Sequence, residues 1–369
     1  MRVLITGANG FIGKNLLTHL RERELDVVVF TRDTPAEQFP ELLVGVDFIF
    51  HLAGVNRPEN PEDFMTGNKE LTEQLCDAIA ASGRKIPLIY TSSSQASLEN
   101  NYGVSKRKAE QALVDLEHAS GSPVYIYRLP NVFGKWSRPN YNSAVATFCY
   151  NIVNDLPIQI NDPAVVLNLV YIDDVIADFV RLMDDQPCGL LWPELATIYT
   201  ITVGVMADQI RAFKESRTSL VTEPVGTGFV RALYSTYLSF FKPEQFSYLV
   251  RMHTDPRGRF VELLKTKDSG QFSFFTAHPG ITRGGHYHHS KNEKFLVIQG
   301  KARFRFRHIV TDETHEMLTL GTIPQVVETM PGWSHDITNI GDEEMIVMLW
   351  ANEIFDRQHP DTVAYKVTA

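Results

Sequence analysis

Residues 2–13 read RVLITGANGFIG, and this stretch decides the fold of the first half of the chain. Residues 2–6 are a short apolar run of strand type, and glycines follow at 7, 10 and 13. A strand ending in Gly7 enters a tight turn. Gly10 lets the backbone approach a pyrophosphate, and Gly13 lets the next helix pack closely on the sheet. The helix N-terminus then offers free N–H groups and a partial positive charge to that anion. The order strand, glycine triplet, helix separates this reading from an ordinary loop. Phe11 and Ile12, between the last two glycines, belong to the same expected cofactor-binding turn.

Strands are expected at 26–31, 47–53, 88–92 and 124–128, with helices at 14–23, 68–82 and 105–118 between them. Such alternation implies right-handed crossovers and a doubly wound parallel sheet of Rossmann type. The second strand runs into Thr31-Arg32-Asp33. An acidic residue there would bind a ribose 2′-hydroxyl and an arginine a 2′-phosphate, so Arg32 points to NADPH. Tyr102 and Lys106 lie one helical turn apart and face the same way. A tyrosine beside a lysine ammonium and a cationic nicotinamide has a lowered pKa and can exchange a proton with a carbonyl or alcohol. A hydroxyl among Thr91, Ser92, Ser93 and Ser94 is placed to polarise the same oxygen.

TGANGFIG, HLAG at 51–54, TSSS at 91–94, YGVSK, RLPNVFG and YIDDV resemble the extended short-chain dehydrogenase/reductases. The resemblance runs from residue 4 to about residue 175. It implies cofactor contacts at Gly7, Gly10, Gly13, Leu52, Ala53 and Lys106, a Ser93–Tyr102–Lys106 triad, and a nucleotide-diphosphate sugar as substrate.

From about residue 247 the texture changes to short alternating runs with Gly, Pro, Asn and Asp punctuation, the pattern of an all-β sandwich or barrel. Nine of the twelve histidines lie after residue 245. His286 and His288 are two apart, so on a strand they share a face. With Glu293 shortly after and His335 from a later strand, they make a ligand set suited to a divalent metal such as Zn²⁺. Gly280-x5-His286-x-His288-x4-Glu293-x6-Gly300 matches the first cupin motif at every defined position, and Pro331-Gly332-x2-His335-x3-Asn339 is similar to the second. The resemblance implies a jelly-roll barrel with these four residues as ligands of Zn²⁺, or of Mn, Fe or Ni. Asp255-Pro-Arg257-Gly258-x-Phe260-x-Glu262 resembles the entry strand of deoxysugar 3,5-epimerase cupins. That points to proton chemistry beside a ketone, with Lys294, Tyr287 and His308 as candidate acid–base groups. Arg303, Arg305 and Arg307 alternate with Phe304 and Phe306, leaving one apolar and one cationic face; the cationic face is either a diphosphate grip or barrel exterior.

The 369 residues exceed one typical domain, and the expected division is 1–246 and 247–369. Apolar content of 44% and charged content of 21% are those of an ordinary globular protein. A net charge of −9 without a basic run excludes a nucleic-acid surface. Neither a signal peptide nor an apolar run of about 18 residues is present, which predicts a cytoplasmic protein without a membrane partner. Three cysteines without motif spacing read as reduced core residues.

The reductase–cupin combination resembles a family of capsular-polysaccharide and O-antigen enzymes. That family implies a homodimer, for which 229–241 is a candidate surface. It also implies a UDP-sugar substrate that the barrel epimerises at C3 and the first domain reduces at C4. Two other readings stand beside it. One is a single-activity sugar-nucleotide dehydratase or C4-epimerase with a structural cupin; a dehydratase needs an acidic residue beside the triad serine, where Ser94-Gln95 follows instead. A non-catalytic NADPH or sugar sensor would have no need of an intact Tyr102 and Lys106.

Overall fold

The computed structural model describes residues 1–250, 252–255, 258–261, 264–266, 271–353 and 358–368. Arg257 and Glu262 of the expected barrel entry strand lie outside the described residues. The chain forms two compact units, Met1–Ser143 with Val166–Ile201, and Ala144–Val165 with Thr202–Ala369.

The first unit is built on strands β1 (Arg2–Thr6), β2 (Asp26–Phe30), β3 (Phe48–His51), β4 (Leu88–Ser93), β5 (Val124–Leu129) and β6 (Leu190–Leu191). They form one parallel sheet in the order β2-β1-β3-β4-β5-β6. The strands are apolar on both sides because helices cover both. On one face, Leu4, Ile49, Leu88, Tyr90 and Ile126 pack against Leu75 and Ile79 of helix α2 (Leu71–Ala81) and Leu113 and Leu116 of helix α3 (Asn101–Ser120). On the other, Phe50 and Tyr127 meet Phe179 of the helix Ile172–Asp185. Helix α1 (Phe11–Glu22) begins within the glycine triplet, three residues earlier than periodicity predicts.

The second unit combines helices with an all-β barrel. Its strands are β7 (Ser247–Leu249), β8 (Gln271–Ala277), β9 (Thr282–Tyr287), β10 (Glu293–Gln299), β11 (Lys301–His308), β12 (Thr314–Leu320), β13 (Gln325–Glu328), β14 (Trp333–Asn339), β15 (Met345–Ala351) and β16 (Val363–Ala364). Two five-stranded antiparallel sheets result, β7-β13-β10-β15-β8 and β12-β11-β14-β9-β16, as a cupin jelly roll requires. Phe304 and Phe306 are buried inside. Their arginine neighbours meet carboxylates instead: Arg305 pairs with Asp336 at 2.7 Å, Arg307 with Asp312 at 2.8 Å and Arg303 with Glu316 at 3.9 Å. The alternating face is therefore barrel exterior with matched charges.

Residues 232–238 of the aromatic stretch 229–241 are buried within their own unit, while Phe229, Val230, Arg231, Ser239 and Phe240 are half-buried. The stretch forms the helix Gly228–Leu238, and Tyr234 and Tyr237 pack on Phe213 of the helix Val203–Ser219 at ring separations of 5.0 and 5.8 Å. Cys76 and Cys149 are core residues as expected, whereas Cys188 is exposed. Among the described residues no helix is long and apolar enough to cross a membrane.

Candidate active sites

Each unit gathers its own set of reactive side chains. In the first, Gly7 has φ +71° and any Cβ there would lie 2.8 Å from the backbone of Ala53. At Gly13 a Cβ would sit 2.2 Å from the Gly7 carbonyl. The loop is thus closed down to backbone thickness. The first intrahelical bond runs from Lys14 N–H to the Gly10 carbonyl, and no side chain caps α1. The N–H groups of Phe11, Ile12 and Gly13 belong to the uncapped first turn, which suits a pyrophosphate. The wall opposite is fixed from within. The Thr6 hydroxyl accepts from Leu52 and Ala53 N–H, both at 3.1 Å. It donates to His51 Nδ1 at 2.7 Å, and His51 Nε2–H donates to Thr72, which in turn donates to the Asn68 carbonyl. Burial first, and the Lys106 charge second, lower the His51 pKa to about 3. The ring is thus a neutral strut. Gly7 N–H donates to the Phe30 carbonyl at 2.9 Å, so the exposed Arg32 follows a strand end that abuts the loop.

Tyr102 and Lys106 lie on α3, whose start is capped by Asn100 accepting from Gly103 N–H at 2.7 Å. Ser93, the last residue of β4, accepts from Gln95 N–H at 3.2 Å and stands beside Tyr102. Lys106 is buried, donates to the Thr91 carbonyl at 2.7 Å and lies 4.5 Å from the Tyr90 ring centroid. Burial lowers its pKa to about 7 against the opposing pull of Glu110. The chain by itself raises the Tyr102 pKa, because burial outweighs the neighbouring Ser93 hydroxyl. The lowering predicted from sequence needs the positive nicotinamide in addition. Glu110 escaped sequence reasoning: buried, it accepts from Ser92 at 2.5 Å and binds Arg128 in a fork at 2.9 and 2.6 Å. Its position on the helix one turn after Lys106 was the available signal.

In the second unit His286, His288, Glu293 and His335 converge, their ligand atoms all within 4.8 Å of one another. Antiparallel pairing sets His286 opposite His335 across β9 and β14, and a register shift between Gly284 and His286 aims the ring inward. Glu293 Oε2 lies 3.2 Å from His288 Nε2 and 3.4 Å from His335 Nε2. Burial first, then the neighbouring rings, lower the His286 pKa to about 3; burial also lowers His335. Burial alone would raise Glu293, but its two imidazole neighbours, His288 and His335, hold it well below the usual carboxylate range. Neutral His286 and His335 beside an ionised Glu293 match the protonation states that a divalent cation requires, so the donor set fits a metal.

Lys294 is not brought to this cluster. Strand alternation turns it away from Glu293. It is buried in a salt bridge to Glu328 at 3.0 Å and donates to Tyr248 at 3.2 Å, while Arg217 holds the other Glu328 oxygen at 2.6 Å. Tyr287 is buried and packs on Tyr365 and His289, while His288 and His286 face the cluster. His308 Nδ1 accepts from Val310 and Thr311 N–H in a turn. Lys291, unremarked in the sequence although it stands inside HHSKNE, places its ammonium 2.9 Å from Glu293 Oε1.

A parallel dinucleotide-binding sheet with a Ser–Tyr–Lys set, joined to a cupin with a His₃Glu set, defines a nicotinamide-dependent enzyme fused to a barrel. The chain belongs to the NAD dependent epimerase/dehydratase family, whose model matches residues 3–189, and it carries a polysaccharide biosynthesis C-terminal domain at 253–363. It is 61% identical over 368 residues, 100% of this chain and 99% of the relative, to UDP-2-acetamido-2,6-beta-L-arabino-hexul-4-ose reductase of Pseudomonas aeruginosa. It is CapF-like along its whole length. The crystal structure of the capsular polysaccharide assembling protein CapF from Staphylococcus aureus matches 100% of both chains at 42% identity and a TM-score of 0.67. UDP-glucuronic acid 4-epimerase from Bacillus cereus, 20% identical with a TM-score of 0.52 over 58% of this chain and 83% of its own, shares the fold of the first part.

Proposed function

We propose that the chain acts in two steps on a UDP-2-acetamido-2,6-dideoxy-4-hexulose. The barrel inverts C3, and the α/β unit then reduces the C4 ketone with NADPH to UDP-2-acetamido-2,6-dideoxy-L-talose, on the route to UDP-N-acetyl-L-fucosamine. One observation carries the reading: a chain 61% identical to a UDP-hexulose reductase holds two reactive sets that share no residue. We assign reduction to residues 1–246 and epimerisation to 247–369. The order follows from chemistry. The C3 proton is acidic only while C4 is a ketone, so inversion precedes reduction.

In the reduction, the cofactor supplies a hydride to C4 when bound. Tyr102 donates its phenolic proton to the C4 oxygen as charge develops there, and Ser93 holds that oxygen by a second hydrogen bond. Lys106 binds the nicotinamide ribose and, when protonated, stabilises the Tyr102 phenolate left behind. Arg32 selects the 2′-phosphate. In the epimerisation, His286, His288, Glu293 and His335 would hold a divalent cation, with Zn²⁺ the leading candidate, whose charge beside the ketone oxygen favours loss of the C3 proton. Solvent-exchangeable groups remove that proton on one face and return one on the other.

The test uses the keto sugar. Incubation in D₂O without NADPH is expected to exchange the C3 proton, and addition of NADPH to consume absorbance at the reduced-nicotinamide band. His288→Ala should abolish exchange yet retain reduction of a pre-epimerised ketone. Loss of both activities in a folded variant would refute the division of labour.

A further inference from the structure

We infer that Asp361 is the positioning residue for the barrel's histidine–carboxylate cluster: a single carboxylate from the C-terminal segment gathers the ligand loop, and the cluster's affinity for a divalent metal depends on it. The inference rests on the reading that His286, His288, Glu293 and His335 hold such a metal.

The loop 288–292 joins β9 to β10 and must aim His288 and Glu293 at one point. In a chain turning this sharply the backbone N–H groups find no partner in either strand ladder. Asp361, 72 residues beyond His289, supplies the partners. Its Oδ1 accepts from His289 N–H at 2.8 Å. Its Oδ2 accepts from Ser290 N–H at 2.7 Å, Lys291 N–H at 2.6 Å and the Ser290 hydroxyl at 3.1 Å. Successive amides converging on one anion form a nest. Here the anion comes from the protein itself.

The same residue orients a ligand directly. The main-chain carbonyl of Asp361 accepts from His288 Nδ1–H. That bond assigns the tautomer and leaves the Nε2 lone pair facing the cluster, where Nε2 lies 3.2 Å from Glu293 Oε2. Outer partners of this kind set ring orientation and ligand basicity at metal sites.

Asp361 is in turn located by the ligand strand. β16 follows two residues later and pairs with β9, Val363 opposite Tyr287 and Ala364 opposite His286. Tyr365 N–H donates to the Gly285 carbonyl at 2.8 Å, and the Ser334 hydroxyl, one residue before His335, donates to the Tyr365 carbonyl at 2.5 Å. Arg231 lies 3.9 Å from Asp361 Oδ2, pairs with Glu353 at 2.9 Å and donates to the Ser290 hydroxyl. The C-terminal segment thus clamps both strands that bear histidine ligands and the loop between the other two.

The experiment titrates Zn²⁺ into the full-length protein against a chelating dye, for the wild type, Asp361→Ala and Asp361→Asn. Asp361→Asn keeps the volume and the main-chain carbonyl but sets an amide N–H₂ against the loop donors, and it serves as the reading should Asp361→Ala fail to fold. Loss of an outer partner weakens metal affinity by about 10- to 100-fold, and that loss is expected here. The Co²⁺-loaded variants should also show an altered visible absorption, which a purely structural role would leave unchanged, while NADPH binding stays as in the wild type. A wild type that takes up no metal overturns the metal reading and this inference together. A tight wild type with both variants within twofold of it and an unaltered Co²⁺ spectrum overturns this inference and leaves the metal reading standing.

Discussion

Lys294→Met separates a catalytic from a structural lysine. The ammonium is 3% exposed and lies 3.0 Å from Glu328 Oε1. Glu328, itself 2% exposed, is held on its other oxygen by Arg217 at 2.6 Å. Burial alone would raise the Glu328 carboxyl; Arg217 and Lys294 reverse that and hold it below its ordinary value. Methionine fills the same volume but leaves one carboxylate oxygen without its cation. Removing one partner of a buried ion pair costs about 3–5 kcal/mol. Because Arg217 remains bound to Glu328, the loss expected is at the lower end, about 3 kcal/mol. The double variant Lys294→Met/Glu328→Gln should recover part of it, since no unpaired buried charge is left. Urea unfolding of the three proteins measures the stability, and C3 exchange in D₂O below the unfolding transition measures activity. An unmoved midpoint together with abolished exchange in Lys294→Met would refute the structural assignment and return Lys294 to the list of acid–base groups.

Three further outcomes are expected. Tyr102→Phe should lower the rate of ketone reduction roughly a hundred- to ten-thousand-fold with NADPH affinity little changed, as steady-state kinetics and cofactor fluorescence would show; a rate within tenfold of wild type would remove Tyr102 as the proton donor. Gly13→Ala places a Cβ 2.2 Å from the Gly7 carbonyl and 2.8 Å from the Ala8 Cα, both backbone atoms that have no rotamer to escape into; overpacking of about 1–3 kcal/mol should weaken NADPH binding at least tenfold, and unchanged binding would show that the loop does not form the cofactor seat. His51 has its pKa lowered to about 3, so the unfolded chain binds the extra proton first as pH falls. The stability of the first unit is therefore complete above about pH 6.5 and declines from there toward pH 3, by on the order of 1.4 kcal/mol per pH unit from this group. Urea midpoints between pH 7.5 and 5 test this, and His51→Gln should flatten the slope.

Much of the fold was legible because the signals are local. A glycine triplet between strand and helix, the Tyr102–Lys106 spacing and the His286–His288 alternation each state a backbone geometry within a dozen residues. The ligand set was legible for the same reason, aided by the short period of a strand. Side-chain direction at Lys294 was not, since its role depends on Glu328 and Arg217, which come from other elements. How far burial opposes Tyr102 ionisation in the chain alone was not legible either, since burial is a property of the whole unit.

By itself, then, the order of residues determined two architectures and the chemical character of their reactive groups, since propensity, glycine placement and period are written into consecutive positions. Which groups actually meet was decided by the tertiary structure alone. Glu110 between Ser92 and Arg128, the His51 strut under Leu52 and Ala53, and Asp361 beneath the ligand loop all join segments far apart along the chain. No spacing rule encodes such meetings. They exist because burial strips water from polar groups and forces each to find its partner wherever folding has placed one.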